Sequence, residues 1–250
     1  MKYNICVPIK IKSADILELK SIIAEVLKSN PNLIELRYDY IHDIQLITQD
    51  FATALLANIN PKIPVIFTFR AQEEGGQMKV EEKIRVKILK TLILSQPNYL
   101  DIEMNTEKRI LGELIDLAKQ NDVNLIFSSH NFEKTLAYEV ISDQINNFLS
   151  RLREDYGLDS QLTEKIILKM IFTAQTFEDN LIPLQLCKEL TKKNLNIISF
   201  CMGTLGIFSR ILCVLNGSFL TYGSLVGETA PGQIDINTIR ETINILQEDK

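Results

Sequence analysis

Eight short apolar runs alternate with eight longer stretches of helical periodicity along this chain of 250 residues, and few folds accommodate that rhythm. The short runs lie at 3–9, 33–39, 63–70, 99–104, 124–129, 165–173, 196–202 and 218–223. Rich in β-branched residues and bounded by turn residues, they predict strands buried on both faces of a parallel sheet. Helices are predicted between them, at 14–29, 44–59, 80–95, 106–120, 134–156, 176–192, 204–216 and 236–247. Ser13-Ala14-Asp15, Asn105-Thr106-Glu107 and Thr176-Phe177-Glu178 supply capping oxygens or first-turn acids at three of the starts. Pro31, Pro61, Pro97 and Pro231 fall between elements, whereas Pro183 lies inside a helical pattern and should kink or shorten its first turns.

Eight βα units in a chain of this length predict the α/β class, as a single (β/α)8 TIM barrel over residues 1–250, because such barrels take about 250 residues. No linker, low-complexity tract or charge block divides it. A doubly wound open sheet is the alternative, but no G-x-G-x-x-G follows an early strand.

Composition narrows the function classes. The net charge is −5 and no basic stripe or arm appears, which argues against a nucleic-acid partner. Cationic residues that matter should therefore be placed locally, for a small anionic ligand. Cys6, Cys187, Cys201 and Cys213 show neither C-x-x-C spacing nor a paired framework, so a metal site or disulfide scaffold is not expected. Residues 1–12 are too broken in their apolar stretch for a signal segment, and no run has the length of a membrane span. A soluble, cytoplasmic protein is expected.

Within this pattern Lys169 is out of place. It interrupts the run Ile166-Ile167-Leu168-Lys169-Met170-Ile171-Phe172. An amine held there loses hydration, which favours its neutral, nucleophilic form, and buried lysines of this kind form Schiff bases with ketones. A snorkelling lysine or a misread strand end explains the residue equally well when it is taken alone. Other polar residues, however, gather where barrel strands end and catalytic groups belong. They are Glu35 and Arg37, Arg70 followed by Glu74-Gly75-Gly76, Asp101 and Glu103, His130, Arg210, and the segment Gly227 to Gln233. Glu35 with Arg37 reads equally as a structural ion pair, Asp101 and Glu103 as supporting groups, and the glycines as a turn. Their agreement in placement favours a composite site, since polar groups inside a barrel are costly unless they bind something.

Only two histidines exist, His42 and His130. His42 reads as a surface loop residue, and His130 ends the strand beside that of Lys169. Neighbouring strands lie about 4.8 Å apart, so both side chains can address one small substrate. Glu74 can orient the imidazole, and arginine with Gln233 suits an acidic, hydroxylated ligand.

These segments resemble type I 3-dehydroquinate dehydratases over nearly the whole chain. The resemblance rests on Glu35-Leu36-Arg37-Tyr38-Asp39, Phe67-Thr68-Phe69-Arg70 with Glu74-Gly75-Gly76, Asp101-Ile102-Glu103, and Ser129-His130-Asn131-Phe132. It continues through Lys169-Met170-Ile171, Met202-Gly203 to Ser209-Arg210, and Ala230-Pro231-Gly232-Gln233. It implies dehydration of 3-dehydroquinate to 3-dehydroshikimate, on the route to aromatic amino acids, through an imine on Lys169. It further implies His130 as the acid and base, Glu74 as its partner, and Arg210 as the carboxylate anchor. Thr229 and Gln233 would close over the substrate, while Glu35, Arg37 and Arg70 would contact its ring hydroxyls. No metal or organic cofactor is implied, and a homodimer is.

Three positions depart from the family pattern: Asn131 where aspartate is usual, Thr229 where serine is, and Ile171 where alanine is expected. None removes a chemical role. Two rivals stand beside this reading. A class I aldolase would use glycines 203, 206, 223 and 227 for phosphate, although Arg210 and Gln233 suit a carboxylate better. A non-enzymatic binding barrel would have little use for a buried lysine, histidine and glutamate together.

Overall fold

The computed structural model describes residues 3–158, 166–225 and 232–247, and in it the predicted alternation becomes a curled parallel sheet wrapped by helices. The strands are β1 (Ile5–Lys10), β2 (Leu33–Arg37), β3 (Val65–Thr68), β4 (Tyr99–Glu103), β5 (Asn124–His130), β6 (Ile167–Thr173), β7 (Asn196–Met202) and β8 (Thr221–Ser224). A two-residue β9 (Ile234–Asp235) adds to β8. The helices are α1 (Ile16–Lys28), α2 (Gln49–Leu56), α3 (Glu82–Leu94), α4 (Lys108–Gln120), α5 (Tyr138–Tyr156), α6 (Leu181–Lys192), α7 (Ile207–Leu212) and α8 (Ile236–Gln247). No helix among the described residues is long and apolar enough to cross a membrane.

Strand order runs β7-β6-β5-β4-β3-β2-β1-β8-β9, with every ladder parallel. This is the (β/α)8 barrel. Its two ends meet at the chain entering β8, where Phe219 N–H donates to Ile197 O at 2.6 Å. Beside that bond the rings of Phe200 and Tyr222 pack edge to face, 6.2 Å apart. All five residues of β2 are buried, as are the first six of β6, because helices cover one face and the barrel interior the other.

The helices follow their periodicity. In α4, Leu111, Leu114, Ile115 and Ala118 are buried, a spacing that lines one face of a helix. Asp15 caps α1 by accepting from Leu17 and Glu18 N–H, and Glu107 caps α4 by accepting from Arg109 and Ile110 N–H. Three predicted helices are shorter or broken. The 44–59 pattern divides into a 3-10 turn (Ile44–Leu46) and α2, and 204–216 yields α7 flanked by 3-10 turns. Pro183 lies in the first turn of α6, where its missing N–H leaves no helical bond unmade, and a 3-10 turn at Glu178–Asn180 takes up the preceding residues. All four cysteines are buried and free.

Candidate active site

The barrel interior is filled in layers, each layer drawing its side chains from alternate strands. The layer that holds the buried lysine comes from β2, β4, β6 and β8: Glu35, Asp101, Lys169 and Tyr222. Lys169 is its hub. Its Nζ lies 2.9 Å from Asp101 Oδ2, 3.2 Å from the Tyr222 hydroxyl and 3.9 Å from Glu35 Oε1. The buried amine is thus surrounded by oxygens rather than by the apolar wall that its neighbours in sequence suggest.

A second tier holds the two carboxylates in place. Arg70 donates to Asp101 Oδ2 and Glu103 Oε1, each at 2.8 Å, and to Ser128 Oγ at 2.6 Å. Arg85, from α3, pairs with the other oxygen of Glu103. Ser128 Oγ donates to Asp101 Oδ1 at 2.6 Å, and Thr68 Oγ1 donates to Glu35 at 2.7 Å. Burial alone would raise the Asp101 carboxyl, but Arg70 and Lys169 outweigh it and hold that group well below the usual carboxylate range. Arg70 itself is 3% exposed and pairs with both carboxylates of this network. Arg70→Met is expected to destabilise the fold by about 3–5 kcal/mol, because it leaves buried carboxylates short of a cation. Urea unfolding measures this, and an unchanged midpoint would dismiss the network as a stabilising element.

One rung above, β5 ends in His130. Glu74 Oε2 accepts from the His130 backbone N–H and lies 3.0 Å from its Nδ1. Burial raises Glu74 to about 7, against the opposing pull of Arg70. Burial, with Arg70 and Lys169 nearby, depresses His130 well below its ordinary value, so the imidazole is neutral at pH 7. With Glu74 ionised, Nδ1 carries the proton and Nε2 is left as a base. The turn carrying Glu74 needs its glycines: Gly75 adopts φ 85°, and a Cβ on Gly76 would come within 2.0 Å of Arg70 O.

These groups open on one cavity of about 340 Å³. Glu35, Arg37, Arg70, Glu74, His130, Lys169, Arg210 and Gln233 all line it. Thr229 lies outside the described residues. Arg210 is buried with its guanidinium 4.5 Å over the Phe200 ring, and Arg37 grips Asp39 through Nε and Nη2 at 2.8 Å each. His42 is exposed and away from the cavity.

The whole-chain comparisons agree with this geometry. The model of the type I 3-dehydroquinase family matches residues 5–250. The chain belongs to that family. Among curated relatives, the 3-dehydroquinate dehydratase of Listeria innocua serovar 6a is 30% identical over 247 residues, covering 97% of this chain and 92% of the relative. That of Thermococcus gammatolerans is 29% identical over 225 residues, covering 90% of this chain and 92% of the relative. The crystal structure of 3-dehydroquinate dehydratase from Geobacillus kaustophilus superposes with a TM-score of 0.83 at 27% identity, covering 99% of this chain and 92% of the other. A type I enzyme from Clostridium difficile, solved with covalent modified comenic acid, gives 0.81 at 26% identity, with 100% and 94% covered. As a type I 3-dehydroquinase, the chain is an enzyme of the hydro-lyase class.

Two of the departures from the 3-dehydroquinase pattern can be placed. Asn131 accepts from the backbone N–H of Glu133 and Lys134 at 3.0 and 2.9 Å, a turn-forming bond that aspartate makes equally well. Ile171 lines the cavity two residues above Lys169, narrowing it with apolar bulk. Tyr222 escaped the sequence reading, since a tyrosine in an apolar strand carries no charge to mark it.

Proposed function

We propose that the chain removes water from 3-dehydroquinate to give 3-dehydroshikimate, through an imine between Lys169 and the ring ketone. The observation that carries this reading is the position of Nζ, buried in a layer with two carboxylates and open to a cavity whose rim bears the Glu74–His130 pair. Nζ gives its ammonium proton to His130 and attacks the ketone carbon, and the carbinolamine takes that proton as it loses water to leave an iminium. Asp101 and Glu35 then face a cation both before the step, as ammonium, and after it, as iminium. Preorganised charge of this kind favours the cationic intermediate without reorganisation.

The iminium withdraws electrons from the adjacent C–H bond. His130 Nε2 takes that proton, giving an enamine, and the enamine's electron pair expels the hydroxyl one carbon further on. That hydroxyl departs as water with the proton held by the imidazolium, so His130 ends neutral. Water then hydrolyses the imine and frees Lys169.

Arg210 binds the substrate carboxylate in this reading, with Gln233 over it. Arg37 gives Asp39 its Nε and Nη2 and keeps Nη1 for a ring hydroxyl. Glu35 and Arg70 complete that contact, and Arg70 also holds Asp101 beside the amine. Borohydride added with 3-dehydroquinate is expected to reduce the imine and inactivate the enzyme, with mass spectrometry placing the adduct on the peptide that carries Lys169. Full activity after that treatment, or an adduct on another lysine, would refute the mechanism.

A further inference from the structure

Lys169 meets three oxygens in its layer, and two of them belong to carboxylates. The hydroxyls nearest those carboxylates are engaged with them: Ser128 donates to Asp101, and Thr68 to Glu35. Tyr222 supplies the third oxygen. Its hydroxyl accepts from Nζ at 3.2 Å while its ring lies beneath the amine, 4.9 Å from centroid to Nζ. The residue is 5% exposed, lines the cavity, and is fixed by the pairing of its backbone with Cys6 of β1. Burial, reinforced by Glu35, raises the phenol well above its ordinary value, so it stays protonated through the neutral range. A phenol that accepts from an amine still has its own O–H to donate, which a carboxylate lacks.

We propose that, given Lys169 as the imine-forming amine, the Tyr222 hydroxyl is a positioning residue for that step. It holds Nζ from β8 while Asp101 holds it from β4, and it then donates a hydrogen bond to the oxygen of the carbinolamine. As the N–C bond forms, the carbonyl π pair moves onto that oxygen, which takes the proton given up by the amine. The oxygen leaves as water when the nitrogen lone pair closes the C=N bond, with a further proton from His130, which took it from the Lys169 ammonium before the attack. Tyr222 contributes a hydrogen bond and remains un-ionised throughout, so no proton or electron is left unaccounted for. The alignment of amine and oxygen is the service it performs.

Tyr222→Phe tests this, because it keeps the ring against Phe200 and removes one oxygen. With 3-dehydroquinate and borohydride in a rapid-quench experiment, adduct formation should slow about ten-fold, the worth of one hydrogen bond to a developing charge. KM and Tm should stay near the wild-type values. A purely structural tyrosine behaves otherwise, sparing the trapping rate in Tyr222→Phe and lowering Tm in Tyr222→Leu. Trapping of Tyr222→Phe at the wild-type rate would overturn the role of Tyr222 and leave the imine intact. Absence of any adduct in the wild-type enzyme would overturn both.

Discussion

Lys169→Met is expected to lower kcat by on the order of 10^4-fold or more, since it deletes the amine proposed to form the covalent intermediate. Methionine matches the length of the lysine stem, so the variant separates chemistry from packing. Its neighbours retain partners: Asp101 keeps Arg70 and Ser128, and Glu35 keeps Thr68. Stability should therefore fall only modestly, by about 1–3 kcal/mol, the scale of one charged hydrogen bond lost in a buried site. Turnover is followed by the ultraviolet absorbance of the conjugated product, and the fold by thermal melting. Borohydride should trap nothing in this variant. A kcat within ten-fold of the wild type would end the imine mechanism, because no other residue of the layer carries an amine.

The fold was largely legible because parallel barrel strands announce themselves. Buried on both faces, β6 and β7 read as unbroken apolar runs, and β7 spans 196–202 as predicted. Strand ends were less legible. The 63–70 run pairs only over Val65–Thr68, since Arg70 has already turned away to meet Asp101 and Glu103. The two-residue β9 has no periodic signal at all. In the site, charged residues at strand ends identified the cavity wall, but pairings across strands depend on register, which periodicity does not carry. Asp101 read as a supporting group, yet its Oδ2 lies 2.9 Å from Nζ. Arg70 lines the cavity as a cationic strand end should, and its hold on three groups of the barrel came only with the register. Tyr222 was findable only through the rule that alternate strands share a layer. Arg37 with Asp39, two apart in one motif, was the pairing most open to a sequence reader.

His130→Ala is expected to slow turnover by about 10^2- to 10^4-fold, the usual worth of a positioned acid–base group. It should still leave some imine to trap, formed more slowly with solvent carrying the protons, because Nζ and its oxygens belong to other strands. The trapped adduct should then be that of the hydrated substrate, heavier by one water than the product adduct. The pH profile assigns the rest. Glu74 stands at about 7 and His130 well below its ordinary value, so the first proton to enter the pair as pH falls arrives near 7. That proton removes the carboxylate that holds Nδ1–H, and the base at Nε2 is lost with it. The acid limb of kcat/KM should accordingly fall near pH 7 in the wild type. In Glu74→Gln the carboxyl no longer titrates, and burial with Arg70 and Lys169 still depresses the imidazole. The acid limb should then move to lower pH, while the rate above neutrality falls because glutamine holds the tautomer less firmly. An acid limb that stays in place would assign the titration near 7 to another group and detach Glu74 from the base.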